Sequence, residues 1–109
     1  MKKIVYISLF VFVSSCFHQQ IYSCSAPRQT DIFIEIKNNK FFFRYSGAKK
    51  SEELKVLINN KMEIVAEKHY KYIDSKWKYS LNKIEKKLNI TQRNKGRLKS
   101  TWNFKCTKI

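Results

Sequence analysis

Residues 31–45, DIFIEIKNNKFFFRY, constrain the fold more than any other stretch of the chain. Two runs rich in Ile and Phe flank Asn38-Asn39, and a two-residue loop of this kind suits a type I′ hairpin turn. A turn at 38–39 sets Ile36 opposite Phe41, Ile34 opposite Phe43 and Ile32 opposite Tyr45, all on one face of the hairpin. Glu35, Lys37, Lys40 and Arg44 take the other face, where Phe33 and Phe42 add apolar surface that asks for partial cover.

The layer that packs on this hairpin is expected to be helical. Ser51 can cap a helix and Glu52 and Glu53 suit its positive end, after which Leu54, Ile58, Met62 and Val65 keep helical spacing. A second hairpin competes for the same residues, since Leu54, Val56, Ile58, Met62 and Ile64 also alternate around Asn59-Asn60. Further on, Tyr70, Ile73, Trp77, Leu81, Ile84 and Leu88 form one apolar stripe in steps of three and four, with lysines filling the remainder. The two stripes lie roughly 100° apart on a helical wheel, so a helix through both must kink or wrap. After a basic turn at 93–99, Thr101 to Cys106 alternates as a strand with Trp102, Phe104 and Cys106 on one side. The fold class expected is α+β: an N-terminal hairpin and a C-terminal strand packed against one long or broken amphipathic helix.

The N-terminus addresses the compartment. Lys2 and Lys3 precede an apolar run from Ile4 to Val13, and small residues follow, the pattern of a secretory signal peptide. The run is too short to span a bilayer, which takes about 20 residues. Val13-Ser14-Ser15-Cys16 resembles the lipobox of bacterial lipoproteins, in which cleavage precedes a cysteine that carries lipid. That resemblance covers about sixteen residues and implies lipidation at Cys16. The same small residues also permit ordinary cleavage after Ser15 and free secretion. The organisation expected is a signal peptide at 1–15, a lipidated cysteine and tether at 16–30, and one small domain at 31–109.

Three cysteines are an odd number for an exported chain. With Cys16 taken by lipid, Cys24 and Cys106 remain to form a disulfide across the whole domain. Three scattered cysteines and two histidines make a poor metal set, and no metal or cofactor is expected. Catalysis is not expected either. His18 precedes the domain, His69 shares no helical face with Glu67 or Asp74, and no nucleophile constellation stands out.

Charge is the better guide. The full chain carries +15, and eleven of its Lys and Arg fall between Lys76 and Lys108 against the single acid Glu85. Lys76, Lys83, Lys86, Lys87, Arg93, Lys95, Arg97 and Lys99 are the candidate anion-binding residues, facing lipid headgroups, an acidic glycan or an envelope protein after export. A solvated face that only keeps the protein soluble accounts for the same charge. The function expected is therefore binding by a lipid-anchored envelope protein, of the kind that could act in exclusion. The alternative is a freely secreted, disulfide-containing effector or toxin.

Overall fold

A computed structural model describes residues 19–109. The expected signal peptide and lipobox, with Cys16 and His18, lie outside the described residues. The architecture is all-β: eight strands in sequence order close into one antiparallel up-and-down barrel. The strands are β1 (Gln20–Ser25), β2 (Ile32–Lys37), β3 (Lys40–Tyr45), β4 (Glu52–Asn59), β5 (Glu63–Tyr70), β6 (Ser75–Asn82), β7 (Lys87–Asn94) and β8 (Arg97–Lys108). The only helical element among the described residues is a single 3-10 turn at Lys71–Ile73. The expected α+β class with its amphipathic helix is thereby overturned.

The expected hairpin forms in the expected register, Ile36↔Phe41, Ile34↔Phe43 and Ile32↔Tyr45. Asn38 and Asn39 take φ of 51° and 60°, the left-handed pair that a type I′ turn demands. The outer-face aromatics are half-buried, and the Arg44 guanidinium covers Phe33 at 4.8 Å from its ring centre. The 52–66 segment follows the competing hairpin. Its turn is held by Asn60, whose Oδ1 accepts from the backbone N–H groups of Met62 and Glu63. A bulge between Val56 and Ile58 then shifts the register, so Leu54 and Val56 point inward while Ile58 pairs with the outward Val65.

The 70–88 stripe breaks into the end of β5, the 3-10 turn, β6 and the start of β7. Four-residue steps such as Trp77 to Leu81 satisfy a strand period as well as a helical one. Tyr79 decides between them: it stands between those two residues, would face away from them on a helix, and is buried with Leu81 in the core. Ile73 and Ile84, members of the supposed stripe, are exposed because they sit in turns. Pairing along the full length of β5–β6 and β6–β7 outweighs the helix propensity of the Lys- and Glu-rich segment.

Gln20–Ser25, read as tether from sequence, is the stave that closes the barrel. It pairs with β2 on one side and with β8 on the other, where Cys24 faces Cys106 and the two are joined in a disulfide. The C-terminal strand thus completes the sheet through β7 and β1 rather than beside the β2–β3 hairpin.

Inward residues of all eight strands form one core, including Tyr22, Ile34, Phe41, Leu54, Ile64, Leu81, Leu88 and Phe104. Phe43 and Tyr79 pack with ring centres 5.0 Å apart at its middle. The outward row is mostly Lys, Glu, Ser, Thr and Asn, so the apolar band that faces lipid in a membrane-spanning barrel is here turned inside. Every strand has a partner on both edges, so residues 19–109 contain all the pairing and the core the barrel needs.

Candidate functional site

Up-and-down closure gives the barrel two ends. At one end lie the start of β1, the end of β8 and the turns 38–39, 60–62 and 83–86; this is called the entry end. At the other, the far end, lie the connections 26–31, 46–51, 71–74 and 95–96.

The far end has an aromatic and polar mouth. Trp77 and Trp102 point inward from β6 and β8 and stack with centres 5.3 Å apart and planes 5° from parallel. Beside them a small cavity of about 130 Å³ is lined by Gln29, Thr30, Ile32, Tyr45, Trp77, Ile90, Trp102 and Phe104. Its volume accommodates a few water-sized groups, well under the several hundred Å³ of a typical small-molecule pocket. Side chains pack the middle of this barrel, and larger concavities lie elsewhere, of about 850 Å³ against Pro27, Ser80, Leu88, Asn103 and Phe104 and of about 420 Å³ at the entry end.

Strand alternation also turns Glu52 and Lys68 inward at this mouth, each two residues along from a core residue, Leu54 or Ala66. They form an ion pair, and the Lys68 ammonium lies 5.7 Å from the centre of the Tyr70 ring. The hydrogen bond to Glu52, with its negative charge, raises the Lys68 pKa. Burial is the main cause that raises the Tyr45 hydroxyl, with Tyr70 and Glu52 adding to it. Ser75, fully buried, accepts a hydrogen bond from Gln92 Nε2 at 3.3 Å. From sequence, Glu52 reads as part of a helix start and Tyr70 as part of a helical stripe, and none of these residues is given a place in a barrel mouth, although two-residue spacing from the core residues is the signal that marks Glu52 and Lys68.

The entry end carries a polar network around a concavity of about 420 Å³ lined by Gln20, Ile36, Asn38, Asn39, Asn59 and Lys83. Asn59 donates to Asn39 Oδ1 at 2.8 Å, and the Lys83 ammonium donates to Asn59 Oδ1 and Asn60 O at 2.7 Å each. Desolvation, with the charge of Lys108 second, lowers the Lys83 pKa.

The eight candidate anion-binding residues share no helix face, because there is no helix. Lys76 on β6 and Arg93, Lys95, Arg97 and Lys99 around the β7–β8 turn belong to the far end. Lys83, Lys86 and Lys87 belong to the entry end, and Lys83 is spent on its polar network. The outer surface also sets cations directly opposite one another across strands: Lys37↔Lys40, Lys76↔Arg93 and Lys87↔Lys105. Like charges so placed destabilise a sheet.

His69 and Asp74 come together where helical reasoning kept them apart, with Nε2 and Oδ1 3.0 Å apart. The pair bridges the end of β5 and the 3-10 turn on the open surface, with side chains 38% and 62% exposed. Among the described residues no group of three or more His, Cys, Asp or Glu is gathered for a metal ion. Compared with protein-family models, curated proteins and solved structures, the chain matches none of them.

Proposed function

We propose that this chain is an exported, lipid-anchored envelope protein that works by binding a polyanionic partner with its far end. The observation that carries the reading is the Lys76↔Arg93 pair, two cations held directly opposite on one sheet face and continued by Lys95, Arg97 and Lys99 around the adjoining turn. A sheet that keeps such a pair gives up stability in isolation and recovers it when an anion sits across both charges. Residues 19–109 retain 21 of the 23 Lys and Arg and all eight acids, a net +13, so the field around the barrel is attractive to anions. The aromatic mouth beside the cations suits an acidic glycan, whose ring faces stack while its acid groups meet the lysines and arginines. The Cys24–Cys106 disulfide suits an oxidising compartment. The reading is of a binder, not an enzyme, and it takes no cofactor.

The test is retention of the barrel on immobilised heparin, a sulfated polyanion. Retention at about 50 mM salt is expected to weaken steeply as salt is raised, because each neutralised charge releases counterions. Reversing Arg93, Lys95, Arg97 and Lys99 to Glu is expected to remove most of it with the circular dichroism unchanged, as exposed substitutions shift stability by under about 0.5 kcal/mol each. Retention indifferent to both salt and reversal would reduce the charge to a solubilising coat. For the anchor, Cys16→Ser is expected to abolish fatty-acid labelling in a bacterial host, and equal labelling of both forms excludes it.

A further inference from the structure

The entry end has a composition of its own. Each of three neighbouring tips sets an exposed apolar side chain beside a lysine: Lys61-Met62 between β4 and β5, Lys83-Ile84 between β6 and β7, and Lys108-Ile109 at the end of β8. Met62, Ile84 and Ile109 are 60%, 63% and 74% exposed. Backbone hydrogen bonds bring the tips together: Lys83 N–H donates to Met62 O, and Cys106 N–H donates to Lys86 O, both at 2.8 Å. Ile109 N–H donates to Ile21 O at 2.8 Å, which fixes the chain end against the start of β1. Lys86 and Lys87 flank the middle tip, with Glu85 3.7 Å from Lys87, and the Lys37↔Lys40 pair flanks the remaining turn of the same end.

Apolar tips ringed by lysines have the two features that hold a peripheral protein on a bilayer. The apolar groups enter the headgroup boundary, and the cations meet anionic lipid. Chain length selects the same end. Cys16 stands four residues before β1, and four residues span at most about 14 Å. A lipid on Cys16 therefore leaves the barrel no room to present any other end to the membrane.

We infer that the entry end is a membrane seat: Met62, Ile84 and Ile109 dip into the interface of an anionic phospholipid bilayer while Lys61, Lys86, Lys87 and Lys108 engage its headgroups. The orientation argument rests on lipidation at Cys16; the surface itself does not. The seat holds the barrel upright, with the far end and its cations directed away from the membrane toward the partner.

The experiment uses residues 19–109 without lipid, a segment that carries the complete barrel, and vesicles of phosphatidylcholine with or without phosphatidylglycerol. Binding is expected on the mixed vesicles and not on phosphatidylcholine alone, weakening as salt rises. Lys61→Gln, Lys86→Asn and Lys87→Gln together are expected to cut partitioning on the order of a hundredfold, at about fivefold per lysine. Asn is chosen at 86 because Lys86 has φ of 56°. The far-end reversal at 93, 95, 97 and 99 is expected to leave a substantial vesicle affinity while heparin retention is lost. The entry-end variant is expected to do the opposite, so the failure of one reading is separable from that of the other. Wild-type partitioning by the entry-end variant, or its abolition by the far-end reversal alone, overturns the seat. Ile84→Trp gives an independent reading at an exposed position. Its added emission is expected to shift to the blue on mixed vesicles, and an unshifted signal on bound protein overturns the insertion of that tip.

Discussion

Tyr79 shows how one side chain couples packing to pH. Its ring fills the middle of the core between Phe41 and Phe43, and burial, followed by the charges at Tyr45, Tyr70 and Glu52, drives its hydroxyl far above the usual 10.0. Tyr22 and Tyr45 are raised in the same direction. A tyrosine that resists ionisation only in the folded state leaves the unfolded state with fewer protons at high pH, so stability falls as pH rises. The loss begins as pH passes the ordinary tyrosine value near 10 and continues until the buried group ionises. We therefore expect the denaturation midpoint to hold steady from neutral pH to about 9 and then to fall. Tyr79→Phe is expected to make that alkaline decline shallower, measured as the slope of urea-unfolding free energy against pH. An unchanged slope would show that Tyr79 takes no part in it.

At the level of strands and turns, the segments legible from sequence were those whose local chemistry and tertiary role agree. Asn38-Asn39 announces a left-handed turn, Ile and Phe alternate around it, and the barrel uses both signals. The same agreement holds for Trp102, Phe104 and Cys106 on β8. At 83–86 it fails: Lys-Ile-Glu-Lys reads as mid-helix, yet Asn82 Oδ1 captures the backbone N–H groups of Ile84 and Glu85, and Lys86 turns left-handed. A bulge that moves Ile58 to the outside while Val56 stays inside is also invisible to periodicity. The β7–β8 turn exposes a remaining local mismatch. Lys95 and Gly96 both take positive φ, 52° and 80°, where Asn-Gly is the preferred pair. Lys95→Asn is expected to raise stability by about 0.5–1 kcal/mol, seen as a higher thermal midpoint, since the left-handed region costs an ordinary side chain about 1–2 kcal/mol. A midpoint that stays or falls would locate the strain of this turn elsewhere.

Closure is the property of the whole molecule that no local window contains. The disulfide was legible because removing Cys16 from the count leaves one pair, and that pair proves to join the first and last strands. The barrel itself depends on pairings between segments whose own patterns point to helix or tether. The candidate site was half-legible for the same reason: the cations were visible, but their division between two ends follows from strand direction alone.

The covalent seam at Cys24–Cys106 also makes the barrel a mechanical part. A protein held at one end by its N-terminus and loaded at the other through the β7–β8 turn transmits force along the shortest bonded route. Here that route runs down β8 from Arg97 to Cys106, across the sulfurs and out through Cys24 to Gln20. Most of the residues between Cys24 and Arg97 hang beside this route as a loop that carries no tension. Pulling between Gln20 and Arg97 is thus expected to extend the oxidised chain by the length of some fifteen residues. Reductant is expected to release about 60 more, roughly 200 Å of slack. Equal extension before and after reduction would place the load elsewhere. Six of the eight staves lie off this route, while β8, which carries Trp102 of the aromatic mouth, bears the load.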